Sequence, residues 1–477
     1  MPTRVIDVGA SSSDAISIME TSKTHLDRYV ALSYCWGPGG KNFKTTHSNY
    51  TQMLREIKQE LLPRTIRDGV EVTRSLGIRH LWVDALCIIQ PEREGDPHSD
   101  WATEALKMSD YYHNAFYTIG ATGARDCGDG FLKPRPALVD PPTNEIVISY
   151  RDTVGTLRDM YIHPPKPMRS VCVDNSPLLR RGWCVQERAF SSRCLFFARD
   201  LLIWECAELR ASEVDPDRDL DDQAGEQWQV WTTPKGNDNL MKLGTLLKLP
   251  KSELLAEAWF GMLTQYTRAD FTFLADKLVA ISSLARKIGD LTGGHYVSGC
   301  WLETIGSCLA WRAHSSSAGP RKTCKDAVAP SWSWAAVPCG VVYVSGRNRW
   351  TDDLMLEGNA KQGDGGKLRL RGPIRRWSLE ELELGLLERY RHQTSGTTPL
   401  RILHWDQLPP ESYDRLMDRS FFQIGRSELG TYFLLLEGTG KKDGEVEEYK
   451  RLGFLELPTG SLEEAPIASS SCVVDLI

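Results

Sequence analysis

Two acidic residues beside strongly apolar segments are the first candidates for chemistry in this sequence. Asp84 lies within LWVDALCII (residues 81–89), and Glu104 lies within DWATEALKM (residues 100–108). A carboxylate that leaves water must be paired, hydrogen-bonded or neutralised, and such carboxylates concentrate in functional sites. Both residues therefore qualify as site residues if the elements that carry them direct their side chains into a crevice.

Glu104 falls in a helix that the spacing predicts from about residue 100 to residue 113. The apolar face of this helix contains residues that are four, three and four positions apart: Trp101, Ala105, Met108 and Tyr112. Glu104 lies on the shoulder of that face, where a carboxylate can line a crevice. A solvated ion pair with Lys107, three residues further on, is the alternative.

Asp84 falls in a predicted apolar strand over residues 78–89, where aspartate is disfavoured. In open parallel sheets, ligands bind beyond the carboxyl ends of the strands, so Asp84 is a substrate-binding candidate if it reaches that edge. The alternative is a structural aspartate that caps a turn or accepts backbone amides.

Two further segments contain groups that can contact a ligand. The loop GPGGKN (residues 37–42) follows the first strand, and its glycines allow close approach of the backbone, although a mobile loop is the alternative. The segment RRGWCVQERAF (residues 180–190) carries groups suited to an anion or an aromatic ligand: Arg180, Arg181, Trp183, Gln186 and Glu187. A buried structural network is equally consistent with this second segment.

Other catalytic classes find little support. Cys35, Cys87 and Cys184 lie in apolar contexts, and no histidine is placed in the sequence to activate any of them. A G-x-S-x-G motif is absent, and so is a Cys-x-x-Cys pair, so neither a serine triad nor a structural zinc site is expected and no metal ligands are assigned.

Composition restricts the partners and the compartment. The 477 residues carry a net charge of −6, whereas binding to the phosphates of a nucleic acid requires an excess of positive charge. The twelve cysteines are scattered through a long chain, the N-terminus does not resemble a signal peptide, and no apolar run approaches the length of a membrane span. A reduced, cytoplasmic protein without a membrane or nucleic-acid partner is therefore expected.

The order of the predicted elements favours an α/β fold. Strands at residues 29–37, 78–89 and 116–123 alternate with helices, which is the pattern of a parallel sheet with helical crossovers. The strands EIVISY and TVGTLRDMYI are expected to pair, as are RCLFFA and LLIWEC, with a helix over 178–190 between the two pairs. Helices are predicted near 251–266 and 276–288, followed by β-rich runs.

Five segments together resemble the fungal heterokaryon incompatibility (HET) domain family. They are YVALSYCWG, LPRTIRDGVEVTRSLGIRHLWVDALCIIQ, DWATEALKMSDYYHNAFYTIGA, RRGWCVQERAFSSRCLFF and PSWSWA. The resemblance implies a core similar to the Toll/interleukin-1 receptor (TIR) fold, a flavodoxin-like parallel sheet, with β-rich insertions and a mixed α+β C-terminal region. The implied divisions are an N-terminal extension (1–28), the HET domain (29–210), a linker (211–245), a helical region completing the core (246–339) and a β-rich region (340–477).

The resemblance also implies a function. In TIR domains that hydrolyse NAD, a glutamate on a helix that begins with tryptophan is catalytic, and DWATE resembles that element, so Glu104 is the expected catalytic residue. The expected substrate-binding residues are Ser33, Tyr34, Trp36, Gly37, Asp84, Trp101, Arg181, Trp183, Gln186 and Glu187. NAD is then a substrate, no cofactor is bound permanently, and the protein acts in non-self recognition and programmed cell death.

Two other functions remain open at this point. A stand-alone HET-like chain is also compatible with an enzyme of fungal secondary metabolism that acts on a small metabolite or an activated amino acid. A non-catalytic signalling adaptor that self-associates through its TIR-like domain is the third reading.

Overall fold

A computed structural model describes most of the chain. The described residues are 1–11, 14–22, 24–38, 42–93, 95–96, 98–135, 146–162, 173–213, 216, 242–246, 248–271, 274–314, 329–344, 350–357, 367–377, 403–405, 419–458 and 470–477. The chain divides into two compact units, Met1–Leu247 and Lys248–Ile477.

The first unit is built on an eight-stranded sheet with the order β10-β9-β8-β5-β3-β4-β1-β2. The strands of this unit are β1 (Arg4–Asp7), β2 (Ser17–Glu20), β3 (Tyr29–Ser33), β4 (His80–Trp82), β5 (Tyr117–Gly120), β6 (Ile146–Arg151), β7 (Leu157–Ile162), β8 (Arg193–Phe197), β9 (Leu202–Cys206) and β10 (Arg210–Ser212). The four central strands β4, β3, β5 and β8 are parallel, and the flanking strands on both sides are antiparallel. The predicted α/β class is therefore confirmed.

Helices connect the parallel strands. They are α1 (Tyr50–Arg55), α2 (Arg64–Ser75), α3 (Asp84–Cys87), α4 (Trp101–Ala105), α5 (Met108–Asn114), α6 (Gly182–Phe190) and α7 (Leu243–Leu246), with a 3-10 turn at Gln59–Leu61. Helix α2 forms as its apolar spacing predicts, with Ile66 and Val70 buried. It ends at Ser75, because Gly77 adopts a left-handed φ of 68° that reverses the chain.

Three predicted elements differ from the structure. The strand predicted over 78–89 ends at Trp82, and the short helix α3 begins at Asp84. The helix predicted over 100–113 is divided between α4 and α5. The strand predicted over 29–37 ends at Ser33. An apolar run reports burial but not where strand pairing stops: β4 stops pairing at Trp82, opposite Ala31, although the apolar run continues to residue 89.

Both predicted hairpins are confirmed. Strand β6 pairs with β7, and β8 pairs with β9, in antiparallel register. The helix predicted over 178–190 begins only at Gly182. Most of the predicted linker at 211–245 lies outside the described residues, although Ala211 and Ser212 belong to β10. The predicted domain divisions stay a prediction.

The second unit combines helices with a separate sheet. Its helices are α8 (Lys251–Glu253), α9 (Trp259–Tyr266), α10 (Asp276–Thr292) and α11 (Ile305–Leu309), with a π-helical turn at Leu254–Ala258 and 3-10 turns at Leu302–Thr304 and Trp334–Ala336. Its strands are β11 (Tyr296–Val297), β12 (Cys300–Trp301), β13 (Trp311–Ala313), β14 (Val341–Tyr343), β15 (Thr351–Asp352), β16 (Met355–Leu356), β17 (Leu368–Trp377), β18 (Leu403–Trp405), β19 (Arg419–Arg426), β20 (Gly430–Asp443), β21 (Val446–Pro458) and β22 (Ser470–Leu476). Strand β17 pairs with both β19 and β22. Trp332 and Trp334 are fully buried in the core of this unit.

Within the described ranges, no helix combines the length and the apolar character that a membrane crossing requires. The ten cysteines in the same ranges are all free thiols.

Candidate functional site

The carboxyl edge of the parallel strands gathers most of the predicted site residues. Numbered along the chain, the four parallel strands have the order 2-1-3-4, with β3 as the first of them. Chain connections leave β3 toward β4 on one side and reach β5 on its other side. This is a topological switch point, and the crevice outside it is where open α/β sheets bind ligands. Ser33 ends β3 there, and Asp84 follows β4.

Asp84 presents its carboxyl group to this edge. Its two oxygens accept the indole N–H of Trp36 at 3.2 and 3.0 Å, and Oδ1 also accepts the backbone N–H of Ala85 at 2.7 Å. The residue keeps partial exposure, but its carboxyl group is enclosed. Burial, reinforced by the charge of Glu187, raises the pKa of Asp84 to about 7, although the guanidinium of Arg181 opposes the shift.

Glu187 provides a second carboxylate, held on α6. It is 6% exposed, and its Oε2 accepts a hydrogen bond of 2.5 Å from the hydroxyl of Ser33. Burial raises the pKa of Glu187, while the charge of Arg181 and hydrogen bonds from Ser33 and Tyr112 lower it. The negative charge of Glu187 therefore acts on the carboxyl group of Asp84 and makes its ionisation less favourable.

Arg181 joins the two acidic residues to the first strand. Its Nη1 donates a hydrogen bond of 2.5 Å to the carbonyl oxygen of Tyr34, immediately after β3. Its charge acts on both Asp84 and Glu187. The sequence candidates Ser33, Asp84, Arg181 and Glu187 therefore form one cluster, which we call the edge cluster.

Aromatic side chains flank the edge cluster. Trp101 and Trp183 make an edge-to-face contact with ring centroids 6.2 Å apart and an interplanar angle of 74°. Both are half-buried, as is Trp36. Partly exposed indoles beside acidic and basic groups offer stacking faces to a planar ligand such as a nucleobase or a nicotinamide ring.

Gly37 follows Trp36 with a φ of 84°. A side chain there would place its Cβ 2.5 Å from the Cβ of Asp126, in the loop after β5. Glycine is therefore required for the chain to turn back at the carboxyl edge, whatever the ligand.

Among the buried polar atoms of the described residues that lack a hydrogen-bond partner, three belong to residues beside the edge cluster. They are Oδ1 of Asn42, Oγ1 of Thr122 and Oε1 of Gln186. Asn42 donates a hydrogen bond of 2.7 Å to the hydroxyl of Tyr34, Thr122 follows β5 at the carboxyl edge, and Gln186 precedes Glu187 on α6. Unsatisfied buried polar atoms are costly and rare, so their presence beside the edge cluster favours a site that takes up a polar ligand.

Sequence reasoning did not single out Asn42, Tyr112 or Thr122. Tyr112 is buried and packs against Trp82, as its place on the apolar face of the predicted helix requires, and its hydroxyl also acts on Glu187. A polar residue directly after a predicted parallel strand is the signal that identifies Thr122, because that position is at the ligand-binding edge. No comparable local signal marks Asn42.

Glu104 has different partners. It is 3% exposed, and it accepts hydrogen bonds from Thr3 Oγ1 (3.0 Å), Lys107 Nζ (2.8 Å) and the hydroxyl of Tyr111 (2.7 Å). Burial by itself would raise the pKa of Glu104, but these three donors lower it. Its predicted catalytic role stays a prediction, and its surroundings are those of a carboxylate that fastens α4 to α5 and to the N-terminal strand.

Replacing Glu104 with glutamine tests whether this carboxylate has a structural role rather than a catalytic one. We expect the free energy of unfolding to fall by about 1–3 kcal/mol, because a buried carboxylate with three donors is lost. Activity per folded molecule should stay within a factor of about two. Chemical denaturation and an activity assay on the same preparation separate the two effects. The matched control is Lys107→Met, which removes only the half-exposed partner. A rate loss of a hundredfold at unchanged stability would restore Glu104 as the catalytic residue.

The cysteines considered as nucleophiles are poorly placed for that role. Burial raises the pKa of Cys35 to about 11 and that of Cys87 to about 12, and it raises the pKa of Cys184 as well. A nucleophilic cysteine needs a lowered pKa, so these thiols act as buried packing groups. A cavity of about 640 Å³ lies along α2 and contacts none of the edge-cluster residues.

Comparison with known proteins identifies the domain. Residues 29–187 match the profile of the family described as "Heterokaryon incompatibility protein (HET)". This part of the chain, which spans β3 to Glu187 of α6, is therefore a HET domain, as the sequence segments within it predicted, whereas PSWSWA (residues 330–335) lies outside the match. Neither the curated proteins nor the solved structures gave a match.

Proposed function

We propose that the HET domain binds a nucleotide of the NAD class at the edge cluster and hydrolyses its nicotinamide–ribose bond. The observation that carries this proposal is the meeting of Asp84, Arg181 and Glu187 at the topological switch point of the sheet. A carboxyl pair, one cation and exposed indoles are together suited to a ribose, a phosphate and a planar ring.

The chemistry requires one ionised carboxylate near the ribose. The nicotinamide ring of NAD carries a positive charge while it is bonded to the ribose and leaves as neutral nicotinamide. The reaction therefore needs no general acid to protonate the leaving group. The developing charge lies on the ribose as an oxocarbenium ion, which a carboxylate stabilises, and water then attacks the anomeric carbon. Asp84 is half-buried and Glu187 is buried, so we assign the contact with the ribose to Asp84, and Glu187 acts on Asp84 through its charge.

Arg181 and the indoles have complementary parts in this proposal. The guanidinium of Arg181 balances the two carboxylates, so that Asp84 can ionise near neutral pH. The faces of Trp101 and Trp183 provide stacking surface for the nicotinamide or adenine ring. The unsatisfied oxygens of Asn42, Thr122 and Gln186 are acceptors for ribose or amide donors.

The test is incubation of the purified protein with NAD, followed by separation of nicotinamide and ADP-ribose. The rate should increase with pH through the region of about 7, because burial raises the pKa of Asp84 to that value and only the ionised form stabilises the cation. A rate that is independent of pH between about 5 and 9 would exclude Asp84 as the titrating group. The absence of product at every pH would exclude NAD hydrolysis altogether.

The match to the HET family supports a role for this activity in non-self recognition and programmed cell death. Consumption of a cytoplasmic nucleotide would disable a cell directly, which agrees with that role. Toxicity on expression should therefore follow NAD loss, and a variant that no longer cleaves NAD should be tolerated.

A further inference from the structure

We propose that His25, Asp27 and His80 bind a divalent transition-metal ion of the zinc class. One ligand atom from each residue lies within 4.8 Å of those of the other two. The proposal is independent of the proposed function, because this site lies at the opposite edge of the sheet.

The placement of the three residues follows from the parallel pairing of β3 and β4. His80 is the first residue of β4, opposite Tyr29, the first residue of β3. His25 and Asp27 lie in the segment that leads into β3 and are separated by Leu26, which is 88% exposed. Leu26 faces solvent, whereas His25 and Asp27 on either side of it both contact His80.

An unsatisfied buried nitrogen points to a missing ligand. His80 is 3% exposed, and its Nδ1 has no hydrogen-bond partner among the described residues. Oδ2 of Asp27 lies 3.3 Å from that nitrogen, but the pair lacks hydrogen-bond geometry. The ring of His25 stands edge-on at a centroid distance of 5.8 Å from that of His80. A metal ion between the three groups would satisfy the buried nitrogen, whose desolvation is otherwise uncompensated.

The donor set selects the class of ion. Two imidazoles and one carboxylate suit zinc and its neighbours in the transition series, whereas calcium and magnesium prefer oxygen donors alone. With bonds of about 2.1 Å, a tetrahedral ion holds its ligand atoms about 3.4 Å apart. The pair His80–Asp27 already has that separation, at 3.3 Å, and His25 needs only a rotation of its partly exposed side chain. Asp7, the other acidic group near His80, is held by Arg79 at 2.8 Å.

The consequence of binding would be structural. The ion would tie the segment before β3 to the beginning of β4, across the amino edge of the sheet. Three protein ligands leave one position for water. Because Asp84 follows the opposite end of β4, removal of the ion should alter stability rather than the rate of NAD hydrolysis.

The experiment is a zinc titration of the full chain, freed of any affinity tag and stripped with a chelator, in competition with a chromophoric chelator. We expect one equivalent to bind and to raise the melting temperature. His25→Ala and Asp27→Asn should each weaken binding by at least about a hundredfold, since loss of an outer-shell partner alone costs 10- to 100-fold. Both substitutions lie in the partly exposed segment before β3, so the fold is retained.

His98→Ala is the matched control, because His98 is an exposed histidine stacked on His47 at 4.4 Å. The His98→Ala variant should bind zinc with the same affinity as the unmodified protein. Cobalt substitution should give the absorption of a tetrahedral site in the unmodified protein and in His98→Ala only. The proposal is overturned if no equivalent binds, or if His25→Ala and Asp27→Asn bind zinc as tightly as His98→Ala.

Discussion

Asp84→Asn is expected to lower the rate of NAD hydrolysis by about a hundredfold or more, which is the cost of removing one group that stabilises a developing charge. Asparagine keeps the shape of the side chain and can still accept a hydrogen bond from Trp36. It removes the negative charge that the oxocarbenium ion requires. The loss should appear in kcat rather than KM, because the charge develops only in the transition state.

The same substitution should stabilise the fold at alkaline pH. Burial raises the pKa of Asp84 to about 7 from an ordinary value of 3.8, so between these values the folded state binds more protons than the unfolded state. The free energy of unfolding therefore falls as the pH rises from about 4 to about 7. It stays at the lower value above pH 7, where the buried carboxylate is ionised. Asparagine has no charge to bury, so the variant should gain about 1–2 kcal/mol at pH 8 and little at pH 4.

The measurement pairs initial rates of NAD hydrolysis with urea denaturation at both pH values. Asp110→Asn is the control, since Asp110 is an exposed aspartate on α5, and neither quantity should change. Loss of activity together with a gain in stability is the signature of a functional group held at a cost to the fold. If Asp84→Asn hydrolyses NAD at the normal rate while Glu104→Gln does not, the edge cluster is not the catalytic site.

Glu205→Gln is expected to destabilise the first unit by about 3–5 kcal/mol, because it removes the carboxylate that three buried cations share, although Arg188 keeps its ion pair with Asp174. Glu205, on β9, is fully buried and accepts two hydrogen bonds from Arg188 at 2.9 and 2.6 Å. Lys242 Nζ lies 3.4 Å away and Arg210 Nε 3.7 Å away. Such a loss is a large part of the stability of an ordinary domain, so the variant should unfold at a much lower denaturant concentration than the unmodified protein.

The pH dependence of stability follows from the same network. Burial by itself would raise the pKa of Glu205, but the charges of Arg188 and Lys242 lower it far below its ordinary value of 4.5. A lowered pKa means that the contribution to stability is complete above the unfolded value and is lost as the pH falls below it. The difference in unfolding free energy between the unmodified protein and Glu205→Gln should therefore be constant above about pH 5 and should shrink in acid.

Denaturation curves from pH 3 to pH 8 measure this difference. Arg199→Met is the control: Arg199 is 90% exposed and lies 4.0 Å from Asp200, and its loss should change stability by less than about 0.5 kcal/mol. A Glu205→Gln protein as stable as that control would show that the buried cations find other partners.

The sequence by itself determined the class of the protein and most of its local structure. Apolar runs and helical spacing predicted β3, β5, α2 and the two hairpins, since these patterns report which residues of one segment face the interior. The wording of five segments identified the HET domain, and a family profile confirms it over residues 29–187. The candidates Ser33, Asp84, Arg181 and Glu187 were also visible as polar residues in apolar surroundings.

Only the tertiary structure decided which of those residues meet. Asp84 was placed inside a strand, and its position at the start of α3 depends on where β4 stops pairing with its neighbours. Glu104 accepts hydrogen bonds from Thr3 and Tyr111, and its contact with Thr3 depends on how the N-terminal segment packs against α4, which helical spacing does not encode. His80 approaches Asp27 only because β3 and β4 pair in parallel with aligned first residues. Periodicity fixes the direction of a side chain relative to its own segment, whereas contact between distant segments depends on strand order and register, which no single segment encodes.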